Sequence, residues 1–202
     1  MIWLHSAHET APALPAAWLI ATGARPGNLT ERSQLRRETA RQIIARQLAL
    51  PLYEIEIGHD GSGRPLLARP TGRSLNVSLA TRAGLVAVAL AQPPVGIDIE
   101  RVDLLAWPPL AALHPNESAM LRELPDAEQA LAFARLWAAK EAYVKALGTG
   151  FIRAPESFAV SLHSSERFTV ADPARPGVTA GVLRTIENGG QEILAAAMVM
   201  LD

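Results

Sequence analysis

Trp137-Ala138-Ala139-Lys140-Glu141-Ala142-Tyr143-Val144-Lys145-Ala146-Leu147-Gly148 is the stretch on which the reading of this chain turns. It has no proline and ends on a glycine, so it predicts the last half of a long helix over Asp126–Leu147. Asp126 is expected as N-cap, Gln129 at N3, and Gly148 just past the end. Trp137, Glu141 and Lys145 recur every four residues and therefore stack along one stripe. A carboxylate between an indole and an ammonium suits a metal ligand or a general base, with the lysine neutralising a phosphate. The same spacing also describes an exposed Glu–Lys pair worth about 0.2–0.5 kcal/mol. Composition adds a pointer: Lys140 and Lys145 are the only lysines in the chain, against seventeen arginines. Where a compact ammonium is needed, a planar guanidinium is no substitute.

Moving towards the N-terminus, Gln92-Pro93-Pro94 punctuates the chain before Val95-Gly96-Ile97-Asp98-Ile99-Glu100. In an extended strand, residues two apart share a face. Asp98 and Glu100 thus project together while Ile97 and Ile99 point into a core. Two carboxylates side by side suit a hard-cation site for Mg²⁺, which commonly uses one or two carboxylates plus phosphate oxygens; taken alone, the pattern is more often a solvated acidic face on an edge strand. Further upstream, Ala40, Ile43, Ile44 and Leu48 mark a helix over Thr30–Leu48, with Arg37 and Arg41 on one side of it. Tyr53–Ile57 alternates like a strand, His59–Gly63 reads as a hairpin turn, and strands are expected around Leu75–Leu79 and Leu85–Leu90. Downstream, residues 103–125 hold a short helical piece near Glu117–Glu123. After the long helix come strand-like runs at Phe158–Leu162, Arg167–Val170, Val178–Thr185 and Ile193–Leu201. A helix followed by several strands, twice over, predicts an α+β fold. It would have two pseudo-symmetric halves, 1–102 and 103–202, each a helix on a small antiparallel sheet, with the site in the cleft between them.

The totals narrow the classes. The chain has 202 residues, 49% of them apolar and 19% charged, so it can bury a core and is not disordered. A net charge of -1 disfavours a dedicated nucleic-acid binder. With no cysteine, disulfide scaffolds, zinc ribbons and thiol nucleophiles are excluded. The first residues, Met-Ile-Trp-Leu-His, show no basic leader, and the longest apolar run, Ala83–Ala91, is too short for a bilayer. A soluble, cytoplasmic protein is expected, with no membrane and no nucleic acid among its partners. The histidines lack metal-ligand spacing, and no G-x-S-x-G elbow appears.

Taken in order, the acidic strand and the long helix resemble the motifs of the phosphopantetheinyl transferase superfamily, in its larger, monomeric, pseudo-dimeric type. That family carries G-[IV]-D-[IV]-E and, some forty residues on, W-x-x-K-E-[AS]-x-x-K-x-x-G. Gly96–Glu100 and Trp137–Gly148 match both completely. Softer matches run from about Arg37 to Val160, including Gly63-Arg64-Pro65 where the family has G-K-P, and Asn76-Val77-Ser78. The resemblance implies transfer of the phosphopantetheine arm of coenzyme A to a serine of an apo acyl or peptidyl carrier protein, with release of adenosine bisphosphate. It implies Asp98, Glu100 and Glu141 as Mg²⁺ ligands, Glu141 and Lys145 as catalytic groups, and Arg37, Arg64, Ser78, Lys140 and Lys145 as contacts to coenzyme A. A monomer is expected, since two halves in one chain already build the cleft.

One departure stands out. After Asn76-Val77-Ser78 the family places histidine, then serine or threonine; here Leu79 and Ala80 follow. The histidine's phosphate contact is therefore missing, and Arg82, four residues beyond Ser78, is expected to supply it from the same strand face. The departure also leaves open a coenzyme A or carrier-protein binding module with weakened or lost catalysis.

Overall fold

A computed structural model describes residues 1–104, 109–149, 152–190 and 192–202. Its described residues form an α+β fold of three α-helices and two sheets. The first sheet has six strands in the order β1-β2-β6-β5-β4-β3: β1 is Ile2–Leu4, β2 Ala16–Ala21, β3 Glu56–His59, β4 Pro65–Arg69, β5 Asn76–Arg82 and β6 Leu85–Ala91. The second has five strands in the order β7-β11-β10-β9-β8: β7 is Val95–Arg101, β8 Ala159–Leu162, β9 Arg167–Ala171, β10 Val178–Asn188 and β11 Glu192–Met200. Helix α1 spans Leu29–Leu48, α2 Pro115–Glu123 and α3 Asp126–Leu147. All pairings are antiparallel except β1 with β2, which is parallel.

The layering explains the composition of the strands. Strand β6 is buried along its whole length because both its faces are covered. Val86, Val88 and Leu90 join Ile43 and Ile44 of α1 in one core. Leu85, Ala87, Ala89 and Ala91 turn the other way, onto Ile97 and Ile99 of β7 and Leu194, Ala196 and Met198 of β11. Strand β11 is sandwiched likewise, with Ala197 and Val199 facing Ala139, Ala142 and Tyr143 of α3. The layers therefore run α1, first sheet, second sheet, α3. A strand covered on two faces reads as a continuous apolar run instead of an alternation.

Several local expectations are corrected. Helix α1 is capped by Asn28, whose side chain accepts from the Glu31 N–H, so it begins before Thr30. Pro125, not Asp126, is the N-cap of α3; the Gln129 amide donates to the Leu124 carbonyl and to Asp126 Oδ1 instead. The stretch Leu52–Glu54 is a single 3-10 turn, and the strand starts only at Glu56. Arg41 on α1 donates to the carbonyls of Leu52 and Ile55, diverting them from a sheet ladder. Strands β1, β2 and β4 are additional to the sequence reading. Strand β7, at the end of the expected first half, is hydrogen-bonded to β11 in the second sheet.

Candidate active site

The position of the acidic strand is set by a glycine. A Cβ on Gly96 would lie 1.8 Å from the Ala142 carbonyl oxygen and 2.7 Å from the Ala146 nitrogen, so only glycine lets β7 lie directly on the backbone of α3. Two residues on, Asp98 is consequently held against the same helix, at Lys145. Lys145 Nζ lies 2.6 Å from Asp98 Oδ1 and also donates to the carbonyls of Ile97 at 3.2 Å and Leu79 at 3.4 Å. Asp98 is 7% exposed, and its buried Oδ2 has no hydrogen-bond partner among the described residues. Glu100, farther along the same strand face, accepts from Arg82 Nη2 at 2.5 Å.

Above Lys145 opens a cavity of about 280 Å³. Helix α3 contributes Glu141, Val144 and Lys145; Gly148 beyond it, Ser78 and Leu79 of β5, and Arg36 of α1 form further walls. The β3–β4 turn closes it with His59, Ser62, Gly63, Arg64 and Pro65. That turn is shaped by Asp60, whose Oδ1 accepts from the backbone N–H groups of Ser62 and Arg64 and from the Ser62 hydroxyl. The Arg64 guanidinium donates to Asn76 Oδ1 at 3.2 Å, and the Asn76 amide donates to the Gln92 carbonyl, which ties the turn to β5. Ser78 Oγ accepts from the Ile97 N–H at 3.0 Å, linking β5 to the acidic strand. The cavity thus brings Arg36 and Arg64, from the first half of the chain, to Glu141 and Lys145 of α3.

Electrostatically the carboxylates are crowded. Burial, and then the Asp98 charge, push the Glu141 carboxyl above its ordinary range, against the opposing pull of Lys145 and Arg82. Glu100 is raised for the same reasons, burial first and Asp98 second, with Arg82 opposing. A general base raised towards neutrality is better matched to its task than an ordinary carboxylate.

Glu141, Lys145, Arg64 and Ser78 are brought together at the cavity, with Asp98 beside Lys145. Three residues depart from the reading. Arg37 is exposed and does not line the cavity; its neighbour Arg36 does, because one residue along a helix is a turn of about 100°. Lys140 faces away altogether. Its ammonium is 2.8 Å from Glu117 Oε1, donates to the carbonyls of Pro155 and Phe158, and lies over the Phe158 ring, with both ionic side chains 1% exposed. Arg82 sits on Glu100 instead of facing the cavity. Trp137 is half-buried, stacked on Phe133 and packed against the core beneath α3. His59 and Arg36 are additional to the sequence reading; they reach the site because α1 and the β3–β4 hairpin both border the cavity, which sequence spacing does not carry.

A family model of the 4'-phosphopantetheinyl transferase superfamily matches residues 94–195, which include β7 and α3. The chain belongs to this superfamily. It is 31% identical over 123 residues to the 4'-phosphopantetheinyl transferase HetI of Nostoc sp., covering 57% of this chain and 51% of that protein. It is 30% identical over 136 residues to the 4'-phosphopantetheinyl transferase psf-1 of Bacillus pumilus, covering 66% and 57%. A holo-[acyl-carrier-protein] synthase of Geobacillus kaustophilus is 48% identical over 66 residues, covering 29% and 51%. The chain thus spans little more than half the length of the curated relatives it matches.

A metal implied by the superfamily can be tested against the residues present. Among the described residues, no three histidine or acidic side chains are drawn together into a ready-made cage. The partnerless Asp98 Oδ2 and the mutual repulsion of Asp98, Glu100 and Glu141 nevertheless fit a hard cation held by few carboxylates and completed by substrate oxygens. Among the described residues, no helix is long and apolar enough to cross a membrane.

Proposed function

We propose that this chain transfers the 4'-phosphopantetheine arm of coenzyme A to a serine hydroxyl of an apo acyl or peptidyl carrier protein. The observation that carries the reading is the meeting of Glu141 and Lys145 with Arg36, Arg64 and Ser78 around one cavity, with Asp98 paired to Lys145 at its edge. Arg36 and Arg64 would hold the phosphates of the nucleotide, a task suited to a guanidinium fork. Asp98, Glu100 and Glu141 would hold Mg²⁺; when bound, it would clamp the diphosphate and offset the charge that develops on the leaving phosphate.

Glu141 takes the proton from the carrier serine hydroxyl. The serine oxygen then bonds to the pantetheine-side phosphorus as the diphosphate P–O bond breaks. The electron pair leaves with adenosine 3',5'-bisphosphate, whose new charge Lys145 neutralises. Pairing with Asp98 keeps that ammonium aimed at the cavity until a diphosphate arrives. The two helix-and-sheet units are read as pseudo-symmetric halves, a reading supported by the α1–sheet–sheet–α3 layering, and the enzyme as a cytoplasmic monomer.

The deciding experiment incubates the protein with coenzyme A, Mg²⁺ and a panel of apo carrier proteins, read by intact mass. The expected result is one phosphopantetheine adduct on a carrier, absent in chelator; transfer that survives complete chelation would remove the metal assignment. Coenzyme A binding without any adduct would favour the second reading, a binding module, for which Leu79 in the cavity wall is the motivating observation.

A further inference from the structure

Arg82 ends β5 and reaches across to the acidic strand, where its guanidinium lies 2.5 Å from Glu100 Oε2. Neighbouring guanidiniums are engaged elsewhere: Arg25 pairs with Glu192 at 3.1 Å, and Arg101 pairs with Asp103 at 3.6 Å and with Glu192 at 3.9 Å. Arg82 is therefore the cation that neutralises Glu100, as Lys145 neutralises Asp98. Each carboxylate of the strand carries its own internal counter-ion. The two counter-ions differ in how firmly they are placed. Lys145 is anchored by two backbone carbonyls besides Asp98, whereas the Arg82 side chain is 44% exposed and its one described hydrogen-bond partner is Glu100.

The backbone beneath Arg82 is fixed. The β5–β6 turn at Ala83 and Gly84 is tied down by Arg25 and Asn188, which both donate to the Ala83 carbonyl, and by Thr22, whose backbone N–H and hydroxyl donate to the Gly84 carbonyl. A Cβ on Gly84 would meet the Ala24 carbonyl oxygen at 2.4 Å, so this turn has no room to shift. Any release of Glu100 is thus a rotation of the Arg82 side chain into solvent, without rearrangement of the strand.

We propose that Arg82 is a displaceable counter-ion of the carboxylate cluster: it occupies Glu100 in the cation-free protein and has to swing away before Glu100 can share a divalent cation. It thereby sets the cation concentration at which the site loads. The proposal rests on reading Asp98, Glu100 and Glu141 as cation ligands. The Arg82 end of the pair is open to solvent, which weakens its hold on Glu100, so the competition is mild and the cation wins when a diphosphate helps to hold it.

The test is Mn²⁺ binding, without coenzyme A or carrier, followed by the electron paramagnetic resonance of free Mn²⁺ in wild type, Arg82→Gln, Arg82→Lys and Glu100→Gln. Arg82→Gln is expected to bind Mn²⁺ about two- to fivefold more tightly than wild type, with Arg82→Lys in between and Glu100→Gln weaker. If Glu100→Gln weakens binding while Arg82→Gln leaves it unchanged or weaker, the cation site stands and the counter-ion proposal falls; Arg82 would then be orienting the carboxylate. If Glu100→Gln binds as wild type does, the cation reading of Glu100 fails and takes the proposal with it.

Discussion

The two lysines of this chain sit five residues apart on one helix and inhabit different media. Lys140 is sealed between α3, α2 and the segment after Ala154, where Glu117, two carbonyls and an aromatic ring satisfy it completely. Lys145 is part-exposed at a cavity; Asp98 and the carbonyls of Ile97 and Leu79 hold it, and among the described residues the second Asp98 oxygen has no hydrogen-bond partner. The same contrast runs through their neighbours. On the core side, Tyr143 donates to Asp172, which also pairs with Arg153, and burial together with that bond pushes the phenol up to about 12. On the cavity side, Glu141 is raised by burial and then by the Asp98 charge, which Lys145 and Arg82 only partly offset. A short motif thus combines two tasks, a closed polar network that locks the helix in place and an open one that awaits a ligand. Burying an ion pair does not by itself stabilise a fold, but breaking one does destabilise it.

The largest effect should come from the open side. Glu141→Gln keeps the length and packing of the helix while removing the base, so carrier modification should fall by about 10²–10⁴ with an unchanged denaturation midpoint. Turnover near the wild-type rate would mean that Glu141 is neither base nor ligand, and the two sides of α3 would no longer differ in function.

The closed side should respond in the opposite currency. Lys140→Met leaves Glu117 buried without its cation, which costs about 3–5 kcal/mol, a large share of the roughly 5–15 kcal/mol that holds a domain together. Chemical denaturation should show the loss, while the folded fraction keeps its KM for coenzyme A. A variant of normal stability with a raised KM would place Lys140 at the cavity after all and break the comparison.

The acidic strand and the helix were legible because their periods are short and their glycines unambiguous: Gly96 permits the contact with α3, and Gly148 ends it in a left-handed turn. What escaped the sequence was angular or long-range. Lys140 and Glu141 differ by one residue, yet one faces the core and the other the cavity. Motif spacing alone does not assign such a face when both sides of a helix carry polar groups. Strand β2 escaped because its run of small and apolar residues, Ala16–Ala21, is buried at four successive positions and shows no alternation. The pairing of Asp172 with Tyr143 spans 29 residues and leaves no local pattern.

The smallest predicted effect sharpens the comparison at α1, where the same ambiguity of one residue separates Arg36 from Arg37. Arg36 is half-buried in the cavity wall, and among the described residues it has no hydrogen-bond or ion-pair partner. Burial, and then the Arg37 charge, lower the hold of Arg36 on its proton. A guanidinium desolvated in this way gains when an anion arrives, since a hydrogen bond to a charged group is worth about 1.5–3 kcal/mol. Arg36→Ala should therefore raise the KM for coenzyme A by roughly ten- to a hundredfold and leave kcat nearly intact, because the contact lies away from the breaking bond. Arg37 is exposed, so Arg37→Ala should change little beyond a slight loss of long-range attraction that salt would screen. Dephospho-coenzyme A, which lacks the outer phosphate, separates the two explanations for any KM rise. If Arg36 grips that phosphate, the variant and wild type should use the truncated substrate equally well. If the penalty persists, Arg36 acts on the diphosphate beside Lys145, and the open side of α3 extends across the cavity to α1.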